Sequence, residues 1–211
     1  SIAPVLRLAR KAQLTLPAKL LLVPLDDRPA TTQFAQMIGA ISGATVETPP
    51  PDTLGRFTQP GNPEKILEWM RKRDLSQYRA VIVSTDMIAY GGLIASRVPN
   101  VSYAESINRL RALQRIRRAA KRTPFYGFTA IMRISPTALR STASWRDKFT
   151  RYIETRSKLA GKWDAAGQAR LDSLASQLPT GEIERYNTAR DRNHRVQQEL
   201  LRMTAVRVFD Y

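Results

Sequence analysis

Cysteine is absent from the chain, and histidine occurs once, at His194. The first absence excludes disulfide staples, thiolate nucleophiles and zinc–thiolate sites. The second excludes a multi-histidine metal centre, so a bound metal would need carboxylate ligands, which suit Mg²⁺ or Ca²⁺ better than Zn²⁺. Long apolar runs are also missing. None approaches the roughly 18 residues that cross a bilayer, and the longest candidate, residues 14–25, is interrupted by Pro17, Lys19 and Pro24. Arg7, Arg10 and Lys11 are not followed by a clean apolar core and a small-residue cleavage site, so no signal peptide is legible. The expectation is a soluble chain without a transmembrane segment, extracytoplasmic if a signal was removed before Ser1.

Acidic residues are scarce. Eighteen Asp and Glu stand against 34 Lys and Arg, a net charge of +16. The excess is concentrated: residues 101–160 hold 14 basic residues and three acids (Glu105, Asp147 and Glu154), a local charge of +11. Such a segment attracts an acidic protein partner, anionic lipid or nucleic acid, although no nucleic-acid motif accompanies it. A solvated helix surface is the simpler reading.

The 211 residues allow one large domain or two small ones, with an ordinary 43% hydrophobic content. Residues 1–17 read as a basic flexible arm in which Val5, Leu6 and Leu8 are the residues able to pack on the body. Residues 18–211 read as a single α/β domain. A strand is predicted over 19–25, followed by a helix over 31–41 whose Phe34, Met37, Ile38 and Ile41 form one apolar stripe. A short strand follows at 44–47, then a stiff Pro-Pro-Pro connection at 49–51. Asn62 and Pro63 start a helix running to about Arg73, and a third strand spans 79–85. Ser102 and Glu105 form a capping box. The helix behind it sets Ile107, Leu110, Leu113, Ile116 and Ala120 on one side and Arg111, Arg115, Arg118 and Arg122 on another. A fourth strand is predicted at 125–134, a long helix at 145–178 broken near Gly161 or Gly167, and a helix at 182–203. A fifth, terminal strand is predicted at 204–211. The alternation implies a parallel sheet with right-handed crossovers, either an incomplete (β/α) barrel or an open five-stranded sheet. A terminal apolar strand suggests the amino-terminal part of a larger domain.

Two strand ends carry the chemistry. The first is Pro24-Leu25-Asp26-Asp27-Arg28-Pro29, where an apolar run gives way to two carboxylates and a guanidinium. The second follows residues 80–84 and contains Asp86, Tyr90-Gly91-Gly92 and Ser96-Arg97. Carboxyl ends of parallel strands are where α/β proteins place ligands, so the two ends are expected to face one site. Asp26, Asp27 and Asp86 are the candidate catalytic residues, able to share acid/base work on a sugar if their surroundings separate their pKa values. No cofactor is required by these residues, although a divalent cation fits the same carboxylates. Arg28 and Arg97 are candidate oxyanion ligands. Tyr90, Gly91, Gly92 and Ser96 complete the substrate-binding set, the glycines by letting backbone approach a ligand. Arg133, at the end of the fourth strand, is a third rim candidate, with a salt bridge to Asp86 as its plain alternative. A structural Asp-Arg network that fixes the loop is the plain reading of residues 26–28. His194 is expected to be exposed, and Trp145 and Trp163 to anchor cores.

These two motifs resemble those of domain-of-unknown-function family 4127. The first is similar to that family's P-L-D-D-R-P motif. Ser84, Asp86, Tyr90 to Leu93, Ser96 and Arg97 match its S-x-D-x-x-x-Y-G-G-L-x-x-S-R motif. Leu54-Gly55 and the 132–136 segment fit as well. The resemblance implies a longer bacterial protein with further acidic strand ends, and hence a partner in the form of a missing carboxy-terminal half or another chain. Acidic strand ends give the functional expectation: the substrate-binding half of a carbohydrate-active, hydrolase-like enzyme. The alternative is a non-enzymatic basic subunit that docks an acidic protein or nucleic acid.

Overall fold

The computed structural model describes residues 18–211. The arm predicted over residues 1–17 lies outside the described residues. β1 (Lys19–Val23) leads into α1 (Gln33–Ile41), β2 (Thr45–Glu47), α2 (Pro63–Arg71) and β3 (Ala80–Ser84). α3 (Thr85–Tyr90), α4 (Tyr103–Ala119) and β4 (Phe125–Phe128) follow, then α5 (Arg146–Gly161), α6 (Ala165–Ala175) and α7 (Glu182–Ala205). The four strands form one open, all-parallel sheet in the order β2-β1-β3-β4. β1 lies between β2 and β3, so the strand order reverses there instead of advancing neighbour by neighbour around a barrel. Open sheets of this kind bind ligands in the crevice outside the carboxyl ends of the strands that flank the reversal.

Register explains which face is core. Leu21 pairs with Val81 and Val81 with Phe125, and all three are fully buried. Side chains alternate faces along a strand, so Val23 and Val83 join this row two residues on, also fully buried. α2 brings Ile66 and Met70 onto it, and α4 brings Leu110 and Leu113. Burying each such side chain contributes about 1.5–3 kcal/mol. Asn62 caps α2 by accepting the Lys65 N–H at 2.9 Å, and Ser102 with Glu105 makes the expected capping box on α4. The opposite face is only partly covered: Leu22 pairs with Ile82 and Ile82 with Tyr126, yet Tyr126 is 40% and Phe128 42% exposed.

Several expectations are corrected. The α1 stripe does not form core: Phe34, Met37, Ile38 and Ile41 are 54–87% exposed. The helix meets the sheet through Gly39 instead, where a Cβ would stand 2.6 Å from Val46 Cγ2. β4 ends at Phe128 rather than 134, because the chain turns away and gives the Ala130 N–H to Asp86. The helix predicted over 145–178 does break after Gly161, as expected, and restarts where Asp164 accepts the Gly167 N–H at 2.6 Å. The fifth strand does not form. α7 takes in Thr204 and Ala205, and the remaining tail is fixed beside β4 by two main-chain bonds, Asp210 N–H to Phe125 O and Gly127 N–H to Tyr211 O. Phe209 lies against Gly127, which has no side chain to block it. Trp163 is 66% exposed and anchors no core, whereas Trp145 packs on a second small cluster of Phe149, Tyr152, Ile153 and Tyr186.

Candidate functional site

The loop after β1 is tied by its own side chains. Asp26 Oδ2 accepts Arg28 Nε at 2.8 Å and Nη2 at 2.7 Å. Asp26 Oδ1 accepts the Thr31 hydroxyl at 2.9 Å and the Arg28 N–H at 3.2 Å. This buried carboxylate therefore has partners on both oxygens. Asp27 is half-buried, gives its N–H to Gly55 O, and has Arg56 Nε 3.9 Å from its carboxylate. Arg28 remains largely exposed beyond its pairing with Asp26.

The second motif begins as a helix that the sequence did not reveal. Ser84 caps α3 by accepting the Met87 N–H at 3.4 Å, and Asp86 falls in its first turn. Asp86 is 1% exposed and accepts the Ala130 N–H at 2.7 Å. Burial pushes its carboxyl up to about 6, against the opposing pull of hydrogen bonds from Ala130 and Thr129. It lies beneath the edge rather than open on the rim. Gly91 ends α3 in a left-handed conformation, φ 93°, and Gly92 follows at φ 124°; only glycine takes such angles without strain. A Cβ on Gly92 would stand 3.1 Å from Leu25 O, and Gly91 O accepts the Gly61 N–H at 2.8 Å. The two motifs thus meet, backbone to backbone.

Where they meet, a crevice of about 260 Å³ opens, walled by Asp26, Arg28, Gly91, Gly92, Phe57 and Gln59. The last two were missed from the sequence. Phe57 is 63% exposed and has φ 50°, an uncommon angle for a non-glycine residue. A tight turn holds it there, with Arg56 and Gln59 exchanging both main-chain hydrogen bonds at 2.9 Å. The Arg-Phe-Thr-Gln-Pro run was the only signal, and turn residues of that kind are common.

Arg192 was also missed, being set in a polar stretch of α7. It is 6% exposed and donates to Ser96 O at 2.7 Å and to Val98 O and Val101 O at 2.9 Å, while its guanidinium stacks 4.3 Å from the Tyr90 ring centre. Asn193 adds a bond to Ser96 O at 2.9 Å. Burial lowers the Arg192 pKa and raises that of Tyr90, each partly offset by the other. Tyr90 and Ser96 are consequently interior groups, and the Ser96 hydroxyl is given to Leu93 O. Arg97, the next residue, is half-buried and faces outward from this fastened loop. Arg133 does not pair with Asp86; it donates to Ser135 O and Pro136 O. His194 is exposed. The described residues include no cluster of three His, Asp or Glu side chains placed to hold a metal ion, and no described helix is long and apolar enough to cross a membrane.

No curated protein and no solved structure matches the chain. A family model described as "protein of unknown function" matches residues 20–211, nearly all the described structure and both motifs. The chain belongs to that family, DUF4127.

Proposed function

We propose that the chain is the substrate-binding part of a carbohydrate-active, hydrolase-like enzyme, with a sugar unit seated in the crevice between the two motifs. The observation that carries the reading is the composition of that crevice. An exposed aromatic ring, an amide, a carboxylate–guanidinium pair and glycine backbone converge at the reversal of strand order. Pockets that recognise small molecules combine an apolar wall with a few fixed polar groups, and a sugar ring offers a C–H face together with hydroxyls. Phe57 would take the face, and Gln59 and Arg28 the hydroxyls, with Asp26 holding the Arg28 guanidinium in place. Asp27 retains acceptor capacity for polarising a hydroxyl. Asp86 acts through the backbone, as a positioning residue that fixes residues 129–130 against α3. Isothermal titration with a panel of neutral monosaccharides tests this. Phe57→Ala and Gln59→Ala should each weaken the best sugar about tenfold, a loss typical of one good contact, with folding intact by circular dichroism. Binding unchanged in Phe57→Ala, or no sugar bound by the wild type, would overturn it.

A second reading is favoured by one observation. Arg111, Arg115 and Arg118 lie exposed along α4, with Lys121 and Arg122 just beyond it. Such a stripe suits docking to an acidic protein or to nucleic acid. Contacts of this origin weaken steeply with salt, so pull-down and gel-shift assays across a salt series decide whether the stripe binds anything.

A further inference from the structure

A second cavity is larger than the crevice. It measures about 440 Å³ and opens between the loop after β4 and helices α5 and α7. Arg97, Arg133 and Arg185 all line it, and Glu182 is its one acidic lining residue. Glu182 is engaged by Arg185 at 3.7 Å. Arg97 makes a single long contact, to Thr137 Oγ1 at 3.5 Å, and Arg133 bonds only to main-chain carbonyls. Neither is ion-paired among the described residues. Burial depresses the pKa of Arg97, and the neighbouring charges of Arg133 and Arg28 depress it further. Arg97 thus lines the larger cavity together with Arg133, two residues on from Ala95, which lines the crevice. Like charges gathered in a concave surface without an anion repel one another, and a bound anion turns that repulsion into attraction. Guanidinium forks suit carboxylate and phosphate groups. Trp145 and Tyr186 add aromatic wall to the same cavity, and Thr137 and Ser141 add polar groups.

We propose that this cavity is an anion-recognising subsite for the carboxylate or phosphate group of an acidic sugar unit, next to the unit held in the crevice. The substrate class is then an acidic saccharide. The proposal rests on the carbohydrate reading above for the sugar, and on Arg97 and Arg133 for the anion.

The experiment is a titration of glucose, glucuronate, glucose 6-phosphate and inorganic phosphate into the wild type and into Arg97→Gln, Arg133→Gln and Arg97→Lys. Melting temperatures serve as the folding control. At low salt one of the acidic sugars should bind at least about tenfold more tightly than glucose, as expected for charge-assisted bidentate bonds. Which acid binds better separates carboxylate from phosphate recognition. Added salt and both Gln variants should erase the preference, while Arg97→Lys, which keeps the charge and loses the fork, should keep part of it. Equal binding of glucose and both acids, or a preference that survives both Gln variants, would overturn the subsite. If a Gln variant fails to fold, displacement of the acidic sugar by phosphate on the wild type decides, and no displacement overturns it. The two readings fail separately. Arg97-dependent phosphate binding without any sugar binding upholds the anion site and removes the carbohydrate reading. Phe57-dependent glucose binding without acid preference does the reverse.

Discussion

Asp86 carries an ionisable group into a place where water does not follow. Its carboxyl titrates near 6 in the folded chain, against an ordinary value of 3.8. The folded state therefore holds a proton that the unfolded state has released between those two values. Stability contributed by neutral Asp86 is complete below pH 3.8 and lost as pH rises through about 6. Glu47 acts in the opposite sense and lower down. Burial raises its pKa, but hydrogen bonds from Tyr78, Arg73 and Lys19 outweigh burial and bring it to about 2, so its contribution is present above 4.5 and lost toward 2. Urea denaturation should show the wild type losing ~1–3 kcal/mol between pH 4 and 6.5, and Asp86→Asn should flatten that slope while leaving the acid limb set by Glu47. A slope unchanged in Asp86→Asn would show that the group does not titrate in this range. The acidic strand ends were legible because apolar runs stop at charge there. What those carboxylates do was not, because partners such as Thr31 Oγ1 and the Ala130 N–H are supplied by backbone turns that no residue pattern encodes.

Helices and strands divide by how directly local chemistry specifies them. Caps read well: Asn62 and the Ser102–Glu105 box sit where the sequence put them, since each needs only a spacing of three. Apolar periodicity read well on α4 and misled on α1. Both have a stripe, but periodicity reports a face and cannot say what lies against it. Gly39 gives α1 its contact with Val46 and leaves the stripe turned outward. The tail misled similarly. Its β-branched and aromatic residues suggested a strand, yet Val208 and Phe209 are buried as a packed tail. The contrast between helices is measurable. Ile38→Lys on α1 should change unfolding free energy by no more than about 0.5 kcal/mol, whereas Leu110→Ala on α4, at a fully buried position, should cost about 3 kcal/mol. Comparable losses at the two sites would mean that α1 is covered in solution.

At the scale of the molecule, two hydrophobic clusters differ in depth. The larger joins the sheet to α2, α4 and part of α7; the smaller joins α5 and the start of α7, with α6 packed on it. α6 buries no residue completely. Local opening follows such differences in buried contact. Hydrogen exchange should therefore release the amides of α6 first, those of α5 next, and those of β1 and β3 last. An α6 as protected as β3 would contradict that order. α7 belongs to both clusters, and the guanidinium of Arg192 joins it to the carbonyls of Ser96, Val98 and Val101. One consequence concerns thermodynamic linkage. The clamp fastens α7 to the segment that carries Arg97. Linkage is reciprocal, so if a ligand at Arg97 alters the affinity of a second ligand on α7, the second must alter the first by the same factor, and Arg192 is the contact through which such coupling would be tested.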